Sequence, residues 1–436
     1  MKEYSHKVAL ILLLTAVFAC SRPAEDIPQF SSNQDTLHIA TKLHKGAGRF
    51  ERVFSSLRFE DIRELSYPLK LPDNLLNIKH ASKVVDYDAD WYKRHRHDEG
   101  LELPPFIMEA ILDNTLDTTQ LPTEEQNRID IITGLRDSVQ IYIVDENNNQ
   151  DLTDDSVRLI MPMHWQSNDN LLKSIFHRYD GEKIVKDSSW LKVGTLSSKT
   201  KLYLGFAEYV TADFYLDERF YQLGTADFQT SFYTYLEPTI ILLNKDSVGR
   251  DSVRRESLVR ETLYPNEFIS LNNEYYRIHK VSRFGDYITL VKDKSFSTQT
   301  GSQVGIKAPN FTAITTAGDS IISSNMHDKP ILIANSCGCG GDKKSLNAYY
   351  EIEKQYGDRA HVLHIDSGIP EINNNEGIHI DMQDTPNENF YDQFRKAYCS
   401  RVCYVIDVNN TVVDKFYITD WKDFLPKILD AERGTI

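Results

Sequence analysis

Two cysteines one residue apart, Cys337 and Cys339, stand where the apolar run KPILIANS gives way to the helix-like stretch DKKSLNAYYEIEKQYG. A helix N-terminus presents unpaired N–H groups and a partial positive charge, which favours a thiolate over a thiol. The chain has five cysteines, and four of them (Cys337, Cys339, Cys399 and Cys403) fall in its last quarter. That grouping suits redox chemistry, a structural disulfide set or a metal site. A Cys337–Cys339 bridge would close a very small ring at the margin of disulfide geometry, so strain would make it easy to reduce. A bridge from either of them to Cys399 or Cys403 would close a loop of about sixty residues, worth about 4 kcal/mol on the chain-entropy argument. Four thiolates also satisfy zinc's ligand count, but an oxidising compartment favours disulfides. No metal and no cofactor are expected.

The fifth cysteine sets the compartment. The apolar run Val8–Ala19 follows Lys2 and Lys7 and is shorter than the roughly 20 residues of a membrane span. It ends in Val17-Phe18-Ala19-Cys20, which resembles a bacterial lipobox. The resemblance implies a signal peptide over residues 1–19, lipid on Cys20 and a polar tether over 20–30. The mature chain is then expected in the cell envelope, extracytoplasmic and held to a membrane through that lipid. The formal charge of −15 argues against nucleic acid as a partner.

The elements that must position the thiols are readable in outline. Residues 31–130 form a mixed region of short elements and turns. There DYDADWYKRHRHDEG carries His95 and His97, read as a solvated loop rather than a metal site. Residues 131–300 are strongly β: SVQIYIVDE, KLYLGFAEYV, ADFYLDERFYQLG and NNEYYRIHKVSRFGDYITLV are β-branched or aromatic runs divided by turn residues, as in an antiparallel sandwich. A hairpin turn is expected near Phe284-Gly285-Asp286. Asp145, Asn147, Asn149 and Asp151 alternate as in an EF-hand loop. Gln150 replaces the turn glycine and Ser156 the bidentate glutamate, so a polar hairpin turn is expected.

Residues 301–436 change character. A buried strand, the helix ending at Gly357, the strand HVLHID, a short strand IHIDM, the helix ENFYDQFRKAY, a hairpin turning at Asn409-Asn410 and the closing helix DWKDFLPKILDAE follow in order. This β-α-β…α-β-β-α order, with a thiol pair after the first core strand, resembles the thioredoxin fold over residues 303–433. VGIKAPNFTAITTAGDSI, SCGCG and YVIDVNNTVV resemble the lead-in, site and hairpin of its TlpA-like and redoxin (AhpC-TSA) branch, fused to an exported β domain. The fold class expected is therefore a β-rich antiparallel region followed by an α/β thioredoxin-like domain.

The resemblance implies a membrane-tethered thiol–disulfide oxidoreductase acting on protein thiols and disulfides. Cys337 matches the attacking cysteine. Gly340 sits where the resolving one belongs, so Cys339, Cys399 or Cys403 must resolve. Arg401 falls near the place of the family's cis-proline, and Lys343 and Lys344 would help lower the Cys337 pKa. Ala334, three before Cys337, argues against a thiol peroxidase. The alternative is a non-catalytic thioredoxin-like lipoprotein, stapled by disulfides, that acts as a binding module.

Overall fold

A computed structural model describes residues 27–430 except 47, 51–53, 86, 96, 98–102, 104, 113–115, 120–126, 164–166, 180–183, 197–200, 228–234, 236–237, 244–258, 338–341, 367–376, 382–384 and 396–399. The signal-peptide reading, Cys20, Cys339 and Cys399 lie outside the described residues.

The chain is β-rich, with several sheets and few helices. Strands Glu208–Leu216, Arg219–Asp227 and Pro238–Leu242 form one sheet, and Phe268–Leu271, Glu274–Val281, Tyr287–Lys292 and Thr36–Ala40 form another. Alternation explains how they pack. Leu37 and Ile39 point inward from one sheet and Ala212, Phe214 and Leu216 from the other, and all join one apolar core. A second pair of sheets repeats the arrangement: Ile129, Ile131, Tyr142 and Val144 meet Phe176, Leu191, Val193 and Leu204. The Glu274–Val281 and Tyr287–Lys292 hairpin turns at Gly285, whose φ of 75° needs a residue without Cβ strain.

Sequence-distant stretches share these sheets. Thr36–Ala40 pairs antiparallel with Tyr287–Val291. Leu76–Val84 pairs with Arg128–Arg136. Gln29–Phe30 runs parallel to Tyr215–Leu216.

Two polar motifs resolve differently from each other. Asp145, Asn147, Asn149 and Asp151 form the polar hairpin turn expected, linking strands Val139–Val144 and Arg158–Leu159. Their oxygens face the backbone: Asp145 accepts from the amides of Asn149 at 3.1 Å and Gln150 at 2.9 Å, and Asn149 accepts from Asp151 at 2.8 Å. His95 instead ends an α-helix, Tyr87–His95, rather than lying in a loop. Its ring stacks on Trp91 one turn earlier, at 4.4 Å between centroids, and its Nδ1 lies 2.9 Å from the Trp91 carbonyl oxygen.

After residue 330 the elements are labelled in chain order: β1 (Ile331–Asn335), α1 (Lys343–Tyr356), β2 (His361–Asp366), β3 (Ile378–Asp381), α2 (Glu388–Phe394), β4 (Val402–Ile406), β5 (Val412–Tyr417) and α3 (Trp421–Leu425). The sheet order is β3-β2-β1-β4-β5. Strands β1, β2 and β3 are parallel, and β4 is antiparallel to both β1 and β5. Each face of the sheet is covered. α1 and α3 bury Leu346, Tyr349, Ile352, Trp421 and Leu425 on one side, and α2 buries Phe390 and Phe394 with Phe311 on the other. All five residues of β1 are buried, as befits a central strand with helices on both faces.

The β4–β5 hairpin turns at Asn409-Asn410, with Asn410 at φ 61°. The closing helix departs from the expected form. α3 stops at Leu425 and the chain goes on as a π-helical turn, Pro426–Asp430. Pro426 lacks the N–H that an α-helical ladder requires there.

Candidate functional site

The site forms where β1 ends. Asn335 is buried, and its Nδ2 donates to the carbonyls of Phe394 at 3.0 Å and Val402 at 2.9 Å. That side chain ties the end of β1 to the end of α2 and the start of β4. Ser336 follows, and its carbonyl accepts two bonds from the Arg395 guanidinium, both at 3.2 Å. Cys337 comes next, 2% exposed and disulfide-bonded. Its partner lies outside the described residues, since the only other cysteine within them, Cys403, is free.

Asp342 organises the far side. It caps α1, accepting from the Ser345 amide at 3.4 Å and the Ser345 hydroxyl at 2.7 Å. The same carboxylate accepts from the Cys337 amide at 3.2 Å and from Nε of Arg401 at 2.6 Å. Burial works to raise its pKa, but the bonds from Ser345, Arg401 and the Cys337 amide together hold it below the ordinary value. Arg401 therefore reaches the site across the loop before β4, where the sequence places it. No peptide bond among the described residues is cis. Lys343 and Lys344 are exposed, so the ion pair nearest the Cys337 amide is Asp342–Arg401.

Cys403 sits elsewhere. It pairs with Ala334 in the β1–β4 register and points into the core shared by Leu332, Ala334 and Tyr349. It is wholly buried, and burial pushes its thiol pKa well above the ordinary range. A neutral thiol in that environment is a weak nucleophile, so this position suits packing rather than resolution. Of the cysteines named from sequence, only Cys337 and Cys403 are described, and they occupy different environments.

A buried polar group behind Cys337 carries no signal in local sequence. Ser336 Oγ lies 2.8 Å from Nε2 of His364, and Nδ1 of His364 lies 2.9 Å from Nδ1 of His379. The two histidines stand fifteen residues apart, and only the parallel β2–β3 register sets them side by side. Tyr349 of α1 stacks on His364 at 4.7 Å. Burial pushes His364 down to about 3, with His379 and Arg395 adding to the effect. Among the described residues no group of three or more His, Cys, Asp and Glu is arranged to hold a metal ion.

Chemically the site offers a disulfide at the end of a central strand, a helix N-terminus and an ion pair at its amide. No protein-family profile matches the sequence, and no curated protein matches it. Solved structures do. The pneumococcal exposed lipoprotein thioredoxin of Streptococcus pneumoniae is 17% identical, covering 28% of this chain and 99% of that one, with a TM-score of 0.24. A thiol:disulfide interchange protein from a Bacteroides species is 17% identical over 31% of this chain and 95% of its own, with a TM-score of 0.26. The thioredoxin domain of a Bacteroides vulgatus thiol-disulfide oxidoreductase is 15% identical over 29% of this chain and 97% of its own, with a TM-score of 0.23. These three matches each span between 28% and 31% of this chain.

Proposed function

We propose that residues 301–436 form a thioredoxin-like domain that exchanges the Cys337 disulfide with thiols or disulfides of other proteins. The observation that carries this reading is the placement of the disulfide-bonded Cys337 between the end of central strand β1 and the capped start of α1. The mixed sheet β3-β2-β1-β4-β5, with helices on both faces, supplies the frame. A substrate thiolate attacks the disulfide, the S–S bond breaks, and the displaced protein thiolate takes a proton. A second substrate thiol then releases the substrate disulfide, so two electrons pass from substrate to protein. The reverse sequence reduces a substrate disulfide. Cys339 and Cys399 are the candidates for the second protein thiol. The apolar run ending at Cys20 supports a lipid anchor in the cell envelope, with the upstream β sheets as an exported domain.

A second reading has one observation in its favour: Cys337 is only 2% exposed, which suits a structural staple in a binding module. One titration separates the two. Thiols are tagged by mass before and after mild reduction of the folded protein against a glutathione series. The oxidoreductase reading expects Cys337 to be reduced while the fold persists, and Cys337→Ser to abolish disulfide exchange. A Cys337 that reacts only on unfolding leaves the staple.

A further inference from the structure

Arg401 is held in place before any substrate arrives. Its carbonyl accepts from the Ile418 amide at 2.8 Å, and the carbonyl of the next residue, Val402, accepts from Asn335 Nδ2 at 2.9 Å. The side chain is pinned at Nε, which donates to Asp342 Oδ2 at 2.6 Å. Asp342 meets it with that oxygen only; Oδ1 instead accepts from the Ser345 amide. The pair therefore lacks the two parallel bonds of a fork-to-fork contact. Nη1 and Nη2 of Arg401 have no hydrogen-bond partner among the described residues, and the side chain is 42% exposed.

That open edge stands beside the disulfide. The same atom, Asp342 Oδ2, accepts from the Cys337 amide at 3.2 Å, so a single oxygen bridges the Arg401 guanidinium and the Cys337 backbone. Cys337 is 2% exposed, so a substrate that reaches its disulfide lays its own chain against the rim to which Asp342 and Arg401 belong. Neighbouring residues of an extended chain have Cα atoms about 3.8 Å apart, and an acidic side chain reaches a few ångströms further. A carboxylate next to the substrate cysteine is thus on the scale of the step from Cys337 to the Arg401 fork.

Other cations near Cys337 are placed differently. The Arg395 guanidinium is buried and directs both Nη groups to the Ser336 carbonyl. Lys343 and Lys344 are exposed on the first turn of α1, as point charges on flexible stems. The long-range field does not favour an acidic substrate either, because the whole chain carries a formal charge of −15. At about 0.15 M salt, exposed charges more than about 8 Å apart are largely screened, so selection rests on the group in contact.

We propose that Arg401 is a specificity-determining residue, selecting substrate cysteines that have Asp or Glu as a chain neighbour. The proposal rests on the oxidoreductase reading. The substrate carboxylate accepts from Nη1–H and Nη2–H while the substrate thiolate attacks the disulfide. Arg401 gives up no proton and passes no electron. The exchange balances as before, with one S–S bond formed for each one broken. Because Nε is already pinned, little side-chain freedom is lost when the fork closes on its ligand.

The test uses the oxidised full chain and blocked pentapeptides with one cysteine, flanked on one side or the other by Glu, Gln or Lys. Reduction of Cys337 is timed by mass tagging at about 0.15 M salt. Each rate is divided by the same peptide's rate with bis(2-hydroxyethyl) disulfide, which removes the effect of the flanking charge on the thiol itself. In at least one flanking position Glu should exceed Gln by about three- to tenfold, and Lys should fall below Gln. Arg401→Gln should bring Glu and Gln level, whereas Lys343→Gln combined with Lys344→Gln should keep the preference. Equal rates for Glu and Gln in the parent protein overturn the proposal alone, and that comparison needs no variant to fold. A preference that survives in Arg401→Gln, or that collapses in the lysine double variant, overturns it as well. A Cys337 that no thiol reduces in the folded protein overturns the oxidoreductase reading and this proposal together.

Discussion

The backbone amide of Cys337 donates to Oδ2 of Asp342 at 3.2 Å, so the residue that would carry a thiolate is tied to a carboxylate at the start of the same helix whose dipole favours that thiolate. These two influences oppose each other. Arg401, 2.6 Å from the same oxygen, offsets part of the negative charge.

Removing that charge should therefore make Cys337 more acidic. Asp342→Asn keeps a competent cap but loses the carboxylate. The Cys337 thiol pKa of the reduced protein is expected to fall by about one unit, with a loss of about 1 kcal/mol of stability. Thiolate absorbance against pH and a denaturant melt measure the two effects. Lys343→Gln combined with Lys344→Gln should move the same pKa by only about 0.3 units, because both side chains are exposed and screened. A larger shift from the lysines than from Asp342 would reverse this account of the site.

The buried histidine predicts a pH dependence with a definite sign. The folded pKa of His364 is pushed down to about 3 from an ordinary value of 6.5. The unfolded chain thus binds more protons between those values, so the stabilisation is full above pH 6.5 and is lost as pH falls towards 3. The slope is about 1.4 kcal/mol per pH unit for one such group. Carboxylates with depressed pKa values, Asp342 among them, act in the same direction but at lower pH. Denaturant midpoints between pH 6.5 and 4.5 should fall steadily in the parent protein and less steeply in His364→Gln.

Much of the frame was legible because its signals are local. ILIAN reads as a buried strand, Gly357 ends the helix, and the Asn-Asn pair at 409–410 marks a turn that only a left-handed residue completes. Partners are not local. Nothing within HVLHID or IHID reveals that a parallel register will align His364 with His379, nor that Arg395 will bind the carbonyl of Ser336 from the far side of the sheet. Asp342 was within reach, because Asp followed by Lys-Lys-Ser is a helix-start pattern. The adjacent lysines are the more conspicuous charges in the sequence, although their length carries them into solvent. Strand positions likewise gave no hint that Thr36–Ala40 pairs with residues about 250 further along.

Cys403 offers a separation of packing from chemistry. It is free, wholly buried and held neutral by its surroundings. Cys403→Ala is expected to cost about 1–2 kcal/mol as a small cavity in the core beside Leu332 and Ala334. The reduction potential of the Cys337 disulfide should stay the same. A native-state alkylation assay should leave Cys403 unmodified until the protein unfolds. Loss of redox cycling in that variant would return Cys403 to the reaction.

One of the contacts that hold the strand carrying His379 can be isolated by mutation. Gly377 has φ 81°, and a Cβ built there would stand 2.2 Å from the Tyr349 hydroxyl. Gly377→Ala therefore meets both a left-handed backbone and an oxygen that is itself bonded to the Ile378 amide. About 2–4 kcal/mol of destabilisation is expected from strain and overlap together. Tyr349→Phe alone should cost about 1–2 kcal/mol, because the Ile378 amide loses its partner. In the double variant the oxygen is gone, so the cost should fall below the sum by at least about 1 kcal/mol. Additive costs would mean that β3 can shift away from α1 freely. The alignment of His379 with His364 would then not depend on Tyr349 and would rest on the β2–β3 ladder and on the pairing of Ile380 with Thr315.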